Sequence, residues 1–312
     1  MLFEELAELW LAYYKPFVKI NTFTDTRNNI KNHLYPKFFN RNIDSIKTME
    51  IADLIRSIHI KQSTNLALRT LGIVERMYEY AFIYEITLHD PTYRVKRFLG
   101  MKIKRDGKPF LRLHDLQRYI DCALRKPCKI EIGVVFITLA YTVVRLNELV
   151  QARVSDFDLI DGYWYIPAEN TKMNREHVVI IPEQLKSLLK KYFDKHQSLW
   201  AFPNHKDHSK QTKKSTFWDR NNKGGRGRKM LYVHTPHAFR NTFSTHAYES
   251  GLWEDSWIET TLSHKLAGTK GIYCRSMFLE QRTRMMQWYA NEIDKYVDFN
   301  VSDFLIKLDD WY

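Results

Sequence analysis

The sequence predicts a mainly α-helical protein of two domains, with a small antiparallel β-sheet in the second. Three observations lead there. Apolar residues recur at helical spacing through most of the chain. The interval 156–181 instead breaks into short runs rich in aromatic and β-branched residues around Asp161-Gly162, a tight-turn pair. The 312 residues exceed the usual size of one domain.

The first domain is expected over 1–90 and all-helical. Residues 2–14 place Phe3, Leu6, Leu9, Trp10 and Tyr13 on one stripe, which Lys15-Pro16 ends. A second helix is expected from Asp25 to Leu34, closed by Tyr35-Pro36. Thr48 reads as an N-cap before Ile51, Leu54, Ile55 and Ile58. A longer helix follows from Thr64 to Tyr84, with Leu71, Val74, Met77, Tyr78 and Ala81 on one side. Its neighbours' polar faces and its own hold Lys19, Arg27, Lys31, Lys37, Arg41, Lys61 and Arg69, a solvated surface or a track for phosphates. The stretch 91–110 is basic, has two glycines and lacks a clean period, as a linker would.

The second domain is expected over 111–295. A helix from Leu113 to Leu124 opens it, and Ile130 to Tyr141 is apolar enough for a buried helix. This runs into Arg145 and Glu148, three apart, whose charges must be paired or used. Residues 156–159, 163–166 and 177–181 read as three strands, and Lys172 falls at the tip of the second hairpin. Pro182 to Phe193 is an amphipathic helix; 204–229 is a basic loop; Glu280 to Ile293 is helical, with Met285, Trp288 and Tyr289 as packing residues. The tail, 296–312, carries Phe299, Phe304, Leu305, Leu308 and Trp311. It needs a surface to bury against, on its own protomer or a neighbour.

Charge and composition narrow the chemistry. A net charge of +12 and a pI near 9.4 point to nucleic acid, with an acidic membrane surface as the weaker option. The candidate contacts are Arg97, Lys102 and Lys104 in the linker. In the basic loop they are Lys206, Lys210, Lys213, Lys214, Lys223, Arg226, Arg228 and Lys229. No apolar run of about 18 residues predicts a membrane span, and MLFEELAELW is unlike a signal peptide. Cys122, Cys128 and Cys274 form no even-numbered framework and fit a reducing compartment. His205 and His208 lack cysteine partners and read as a solvated loop, so no metal and no cofactor are expected. GGRGRK lacks the spacing of a nucleotide loop.

The stretch Thr235 to Tyr273 gathers His237, Arg240, His264 and Tyr273. A fixed cation, two imidazoles and a phenol suit a phosphodiester better than a carbonyl. With the upstream residues the order becomes Arg145, Lys172, His237, Arg240, His264, Tyr273. This set resembles the tyrosine recombinase (phage integrase) family. YTVVRLNELVQARVSDFDL is similar to its first arginine box, ENTKMNREHVVIIP to its hairpin lysine, and TPHAFRNTFSTH to its HxxR box. LSHK and Tyr273, nine residues after His264, are similar to its histidine and nucleophile boxes. FLEQRTRMMQWYANEID is similar to integrases of satellite phages and genomic islands. Two departures flank the signature residues. Val143-Val144 stands where the family often has Gly-Leu or Gly-Met, and Ser263 stands where it usually has Gly.

The resemblance implies a helical core-binding domain followed by a mixed α/β catalytic domain. It implies site-specific recombination of double-stranded DNA at core or attachment sites, integrating or excising a mobile element. Tyr273 would be the nucleophile and form a 3′-phosphotyrosine; Arg145 and Arg240 would hold the phosphate. Lys172 would be the general acid, His237 and His264 would serve the phosphate, and Glu148 would orient its neighbours. The active form would be a homo-oligomer, a tetramer on synapsed DNA. A directionality factor or host DNA-bending protein are further candidate partners, and the bacterial cytoplasm, at the nucleoid, is the expected location. Many relatives carry an extra N-terminal domain that binds arm sites, whereas this sequence opens on the core-binding region. The rival readings are a type IB topoisomerase-like nicking and resealing enzyme and an inactive DNA-binding module.

Overall fold

The computed structural model describes residues 1–102, 110, 112–116, 130–204, 206–213, 236–264 and 277–297. The chain divides into two compact units, Met1–Asp106 and Gly107–Tyr312. The fold is mostly helical with small antiparallel sheets, as the sequence predicts.

The first unit is built on helices α1 (Phe3–Tyr14), α2 (Ile20–Asn29), α3 (Tyr35–Phe38), α4 (Thr48–Lys61), α5 (Thr64–Ile83) and α6 (Val95–Leu99). Phe3, Leu6 and Trp10 of α1 meet Ile51 and Ile55 of α4 and Leu71, Val74, Met77 and Tyr78 of α5 in one core. Three expectations shift. The second helix starts at Ile20 and runs on through a π-helical turn, Ile30–Leu34, into α3. Pro36 does not stop it, because proline at the second position of a new helical turn removes no hydrogen bond that the turn requires. Lys47, not Thr48, occupies the N-cap of α4, where Glu50 Oε2 accepts its N–H at 3.0 Å. The stretch assigned as linker begins inside this unit, since Val95 is fully buried in its core.

The second unit holds α7 (Ile130–Thr142), α8 (Leu146–Leu149), β1 (Phe157–Asp158), β2 (Tyr163–Ile166), β3 (His177–Ile180) and α9 (Glu183–His196). After these come β4 (Pro203–Asn204), β5 (Asp207–Gln211), α10 (Ala238–Ser250), α11 (Asp255–Thr261) and α12 (Leu279–Asp294). Residues Val134 to Tyr141 of α7 are buried throughout, as the apolar run requires. The hydroxyls of Thr138 and Thr142 are satisfied by the carbonyls four residues earlier. The same core takes Trp164, Leu185, Leu188, Phe239, Phe243, Met285 and Tyr289.

The three-stranded sheet runs β1-β2-β3, with Phe157 opposite Trp164 and Ile166 opposite His177. Gly162 supplies the positive φ of 79° that its first turn needs. A second, two-stranded sheet, β4-β5, was not foreseen: the basic segment after Asn204 starts as a hairpin in which Asn204 stands opposite Asp207, and within β5 Asp207 pairs with Lys210 at 2.6 Å. Polar residues along β5 hide its alternation from a hydrophobicity reading. Among the described residues no helix is long and apolar enough to cross a membrane.

Candidate active site

Two helix ends make the site. Helix α7 stops at Val143, whose N–H bonds the Leu139 carbonyl at 3.0 Å while its φ turns to +50°. This left-handed cap releases the chain so that Arg145 becomes the N-cap of α8, in extended backbone. The sequence expectation of one helix running through Arg145 is therefore corrected. Glu148, 3% exposed, closes the turn from inside: its Oε2 accepts the Arg145 N–H at 3.1 Å and its Oε1 the guanidinium at 2.8 Å. One carboxylate thus fixes both the backbone and the side chain of Arg145.

Helix α11 ends in a Schellman motif. The Ser263 N–H bonds the Thr260 carbonyl and the His264 N–H bonds the Glu259 carbonyl, with Ser263 at φ +50°. That geometry turns Leu262, Ser263 and His264 toward the arginines. Arg240, in the first turn of α10 and 3% exposed, donates to the carbonyls of Val143 at 2.7 Å and Leu262 at 2.5 Å. Arg145 Nη2 reaches the carbonyls of Leu262 and Ser263, each at 3.4 Å. Both guanidinium groups therefore converge on the Leu262 carbonyl. His264 joins them: its Nε2 lies 3.4 Å from Arg240 Nη2, and its Nδ1 lies 2.8 Å from Glu259 Oε2. A carboxylate on Nδ1 fixes the ring's orientation and leaves Nε2 facing the arginine.

Burial, and then the neighbouring Arg145 charge, push the Arg240 guanidinium down to about 10, against the pull of Glu148 and Glu259. It stays a cation at neutral pH. Two cations this close repel each other; a dianionic or monoanionic oxygen cluster placed between them relieves that repulsion. The arrangement is suited to binding a phosphate through forked, charge-assisted hydrogen bonds.

The other predicted residues fall as follows. His237 is exposed at the N-terminus of α10, and its carbonyl accepts the Arg240 N–H at 3.2 Å. Lys172 is exposed in the connection between β2 and β3. Arg97, Lys102, Lys206, Lys210 and Lys213 are exposed. Tyr273, Lys104, Lys214, Lys223, Arg226, Arg228, Lys229, the cysteines, His205 and most of the apolar tail lie outside the described residues. Among the described residues no cluster of His, Cys, Asp or Glu forms a metal site.

Sequence reasoning missed three partners. Glu259 was hidden because its contact with His264 exists only once the helix end folds back. His177, 6% exposed at the start of β3, is pushed down to about 3 by burial and then by Arg282, Arg240 and Arg145. It is a neutral imidazole behind the cation pair. Arg282, 1% exposed, fell within the helix expected from Glu280 to Ile293 and was given no role of its own. A polar residue in an otherwise buried strand was the available signal for His177.

A model of the phage integrase family matches residues 109–280, and a model of the phage integrase central domain matches residues 3–97. Prophage integrase IntZ of Escherichia coli (strain K12) is 26% identical over 300 residues, covering 94% of this chain and 71% of that protein. The integrase of Enterobacteria phage P4 is 31% identical over 194 residues, covering 54% of this chain and 44% of that protein. In fold, the chain is similar to lambda integrase (75–356), solved as a dimer bound to a COC′ core site. That match has a TM-score of 0.68 and 15% identity, over 85% of this chain and 96% of that one. Lambda integrase solved as a tetramer bound to a Holliday junction matches with a TM-score of 0.65, 15% identity, and 84% and 78% coverage.

Proposed function

Because this chain belongs to the phage integrase family, we propose that its two units act together to cut and rejoin DNA through Tyr273. The chain is a site-specific recombinase of the tyrosine type. The observation that supports the assignment of the site most is the meeting of Arg145 and Arg240 on one backbone carbonyl, with His264 beside them.

In this reading a DNA phosphate sits against Arg145, Arg240 and His264, which neutralise charge on its non-bridging oxygens as the transition state forms. The Tyr273 oxygen attacks phosphorus, the bond to the 5′-oxygen breaks, and a 3′-phosphotyrosine results. Lys172 gives its proton to the departing 5′-oxygen, and His237 takes the tyrosine proton or bonds a phosphate oxygen. Glu148 holds Arg145 in place. The phosphotyrosine keeps the energy of the broken bond, so a 5′-hydroxyl from another strand reseals it by the reverse steps. Exchange between two duplexes then calls for four protomers, on core sites of a mobile element that is integrated or excised. A directionality factor or a host DNA-bending protein would choose between these outcomes, in the bacterial cytoplasm at the nucleoid.

The test starts from sequencing the DNA that wild-type protein holds covalently after denaturation, which identifies the core. On a nicked suicide duplex carrying that core, wild type is expected to form a denaturation-resistant adduct and Tyr273→Phe none. An adduct with the phenylalanine variant would sink the nucleophile assignment. Lys172→Ala is expected to be slow on the ordinary duplex and to recover on one with a 5′-bridging sulfur, which departs without a proton. Equal impairment on both substrates would remove Lys172 from the general-acid role.

A further inference from the structure

Three segments carry the reaction proposed above: the hairpin with Lys172, the end of α11 with Leu262 and His264, and the segment with Tyr273. One buried side chain bonds to the first two of these and to Met277, the first described residue after the third. Arg282 lies in the first turn of α12 and is 1% exposed. Its Nε donates to Thr261 Oγ1, at the last residue of α11, at 3.0 Å. Its Nη2 donates to the Val178 carbonyl of β3 at 2.6 Å. Its Nη1 donates to the Met277 carbonyl at 3.2 Å.

Each contact reaches a different part of the site. Strand β3 is an edge of its sheet, so the outward Val178 carbonyl depends on a partner from outside the sheet. Thr261 directly precedes Leu262, the residue on which Arg145 and Arg240 converge. Met277 is four residues after Tyr273, and four residues of chain span at most about 14 Å. Phe278, at φ +47°, turns the chain between Met277 and α12.

The chemistry is costly for a purely structural contact. Among the described residues no carboxylate pairs with Arg282; all three acceptors named are neutral. A buried cation without a counter-ion pays a desolvation penalty that an apolar side chain of similar volume would avoid. What an apolar residue cannot do is tie two backbone carbonyls and a hydroxyl from three segments together through one rigid fork.

We propose that Arg282 is a positioning residue for strand cleavage. It fixes the chain leaving the nucleophile segment to the hairpin strand and to the helix end that carries His264, so that tyrosine and phosphate-binding groups are held at a set distance. This rests on the reading of Tyr273 as nucleophile. Misplacing a reacting group by about 1 Å can cost on the order of 10²-fold in rate.

The experiment uses the full chain and three measurements: core-site affinity, melting temperature, and the adduct rate at saturating protein on ordinary and 5′-bridging-sulfur suicide duplexes. Arg282→Lys keeps the charge and loses the fork. It is expected to bind the core within about threefold of wild type and to form adduct at least about tenfold more slowly on both duplexes. Lys172→Ala, by contrast, should recover on the sulfur duplex. An Arg282→Lys rate equal to wild type overturns the proposal. So does recovery on the sulfur duplex, which would confine its effect to the acid step, and so does a defect that vanishes at saturating protein. If Arg282→Lys does not fold, Thr261→Val removes one contact at nearly constant volume. A rate loss of at least about threefold with unchanged affinity supports the proposal, and a wild-type rate overturns it. Failure of wild type to form adduct, or adduct formation by Tyr273→Phe, would instead undo the reading on which the proposal rests.

Discussion

Val143 and Ser263 both hold left-handed backbone, at φ +50° each, and both offer their carbonyls to an arginine of the site. A β-branched residue in that region is strained. These are also the two positions where the resembling family prefers glycine, so the departures noted in the sequence are places where this chain carries strain instead. The consequence can be measured. Removing the Val143 side chain costs burial in any case, but alanine keeps the strain and glycine relieves it. Val143→Gly is therefore expected to be more stable than Val143→Ala, by about 1 kcal/mol, in urea unfolding. The usual order, alanine above glycine, would show that the cap is not strained. His177 gives a second test. Its folded value, about 3, lies below the ordinary 6.5, so the unfolded chain binds the extra proton between those limits. The stability contributed by neutral His177 is fully present above pH 6.5 and is lost as pH falls toward 3. His177→Gln is expected to flatten the fall of unfolding free energy across that window; an unchanged slope would place the acid sensitivity elsewhere. The candidate signature residues could be named at all because their spacing is written in the sequence. Glu259 and the carbonyls of Val143 and Leu262 were not: the first depends on how a helix ends, and a carbonyl has no letter.

At the scale of elements, apolar periodicity located most helices, since burial follows the stripe whatever the neighbours are. It failed where polar residues fill an element. The first half of α2 reads Ile-Asn-Thr-Phe-Thr-Asp, and its start was missed; β5 reads Asp-His-Ser-Lys-Gln and was taken for loop. The hairpin around Gly162 was legible because its turn needs a residue type the sequence displays. A Cβ on Gly162 would lie 2.6 Å from Lys186 Cε and 3.1 Å from the Ile181 carbonyl, on backbone at φ +79°. Lys186 can move, but the Ile181 carbonyl is tied into the hairpin end, where the Ile181 N–H bonds Gly162 at 2.8 Å. Gly162→Ala is expected to cost about 1–2 kcal/mol in chemical unfolding. Adduct formation below the melting range should stay near wild type, because Lys172 lies at the opposite end of β2. A loss of adduct without a loss of stability would mean that the whole hairpin moves as one lever.

For the whole molecule, the excess positive charge is the property that sequence alone made plainest, and its distribution the least. Lys206, Lys210 and Lys213 look alike in the sequence, yet Lys210 is matched by Asp207 at 2.6 Å. Core binding should weaken steeply with salt, each phosphate contact adding about 0.9 to the slope of log K against log salt. Replacing Lys206 and Lys213 by alanine together is expected to lower that slope by about 2, with little change for Lys210→Ala. Equal changes for all three would mean that Asp207 releases its lysine when DNA binds.

The Leu262 carbonyl has one more implication, for how such an enzyme changes over generations. The spacing of Arg145 and Arg240, the cations proposed to hold the phosphate, is referred to a peptide oxygen. Every amino acid supplies the same oxygen, so mutation at residue 262 can vary the side chain without removing the reference point. Core packing, which buries Leu262 to 2%, still limits the side chain there, but the distance between the arginines is inherited through the path of the backbone. Selection on the cleavage reaction then acts mainly on whatever bends that path.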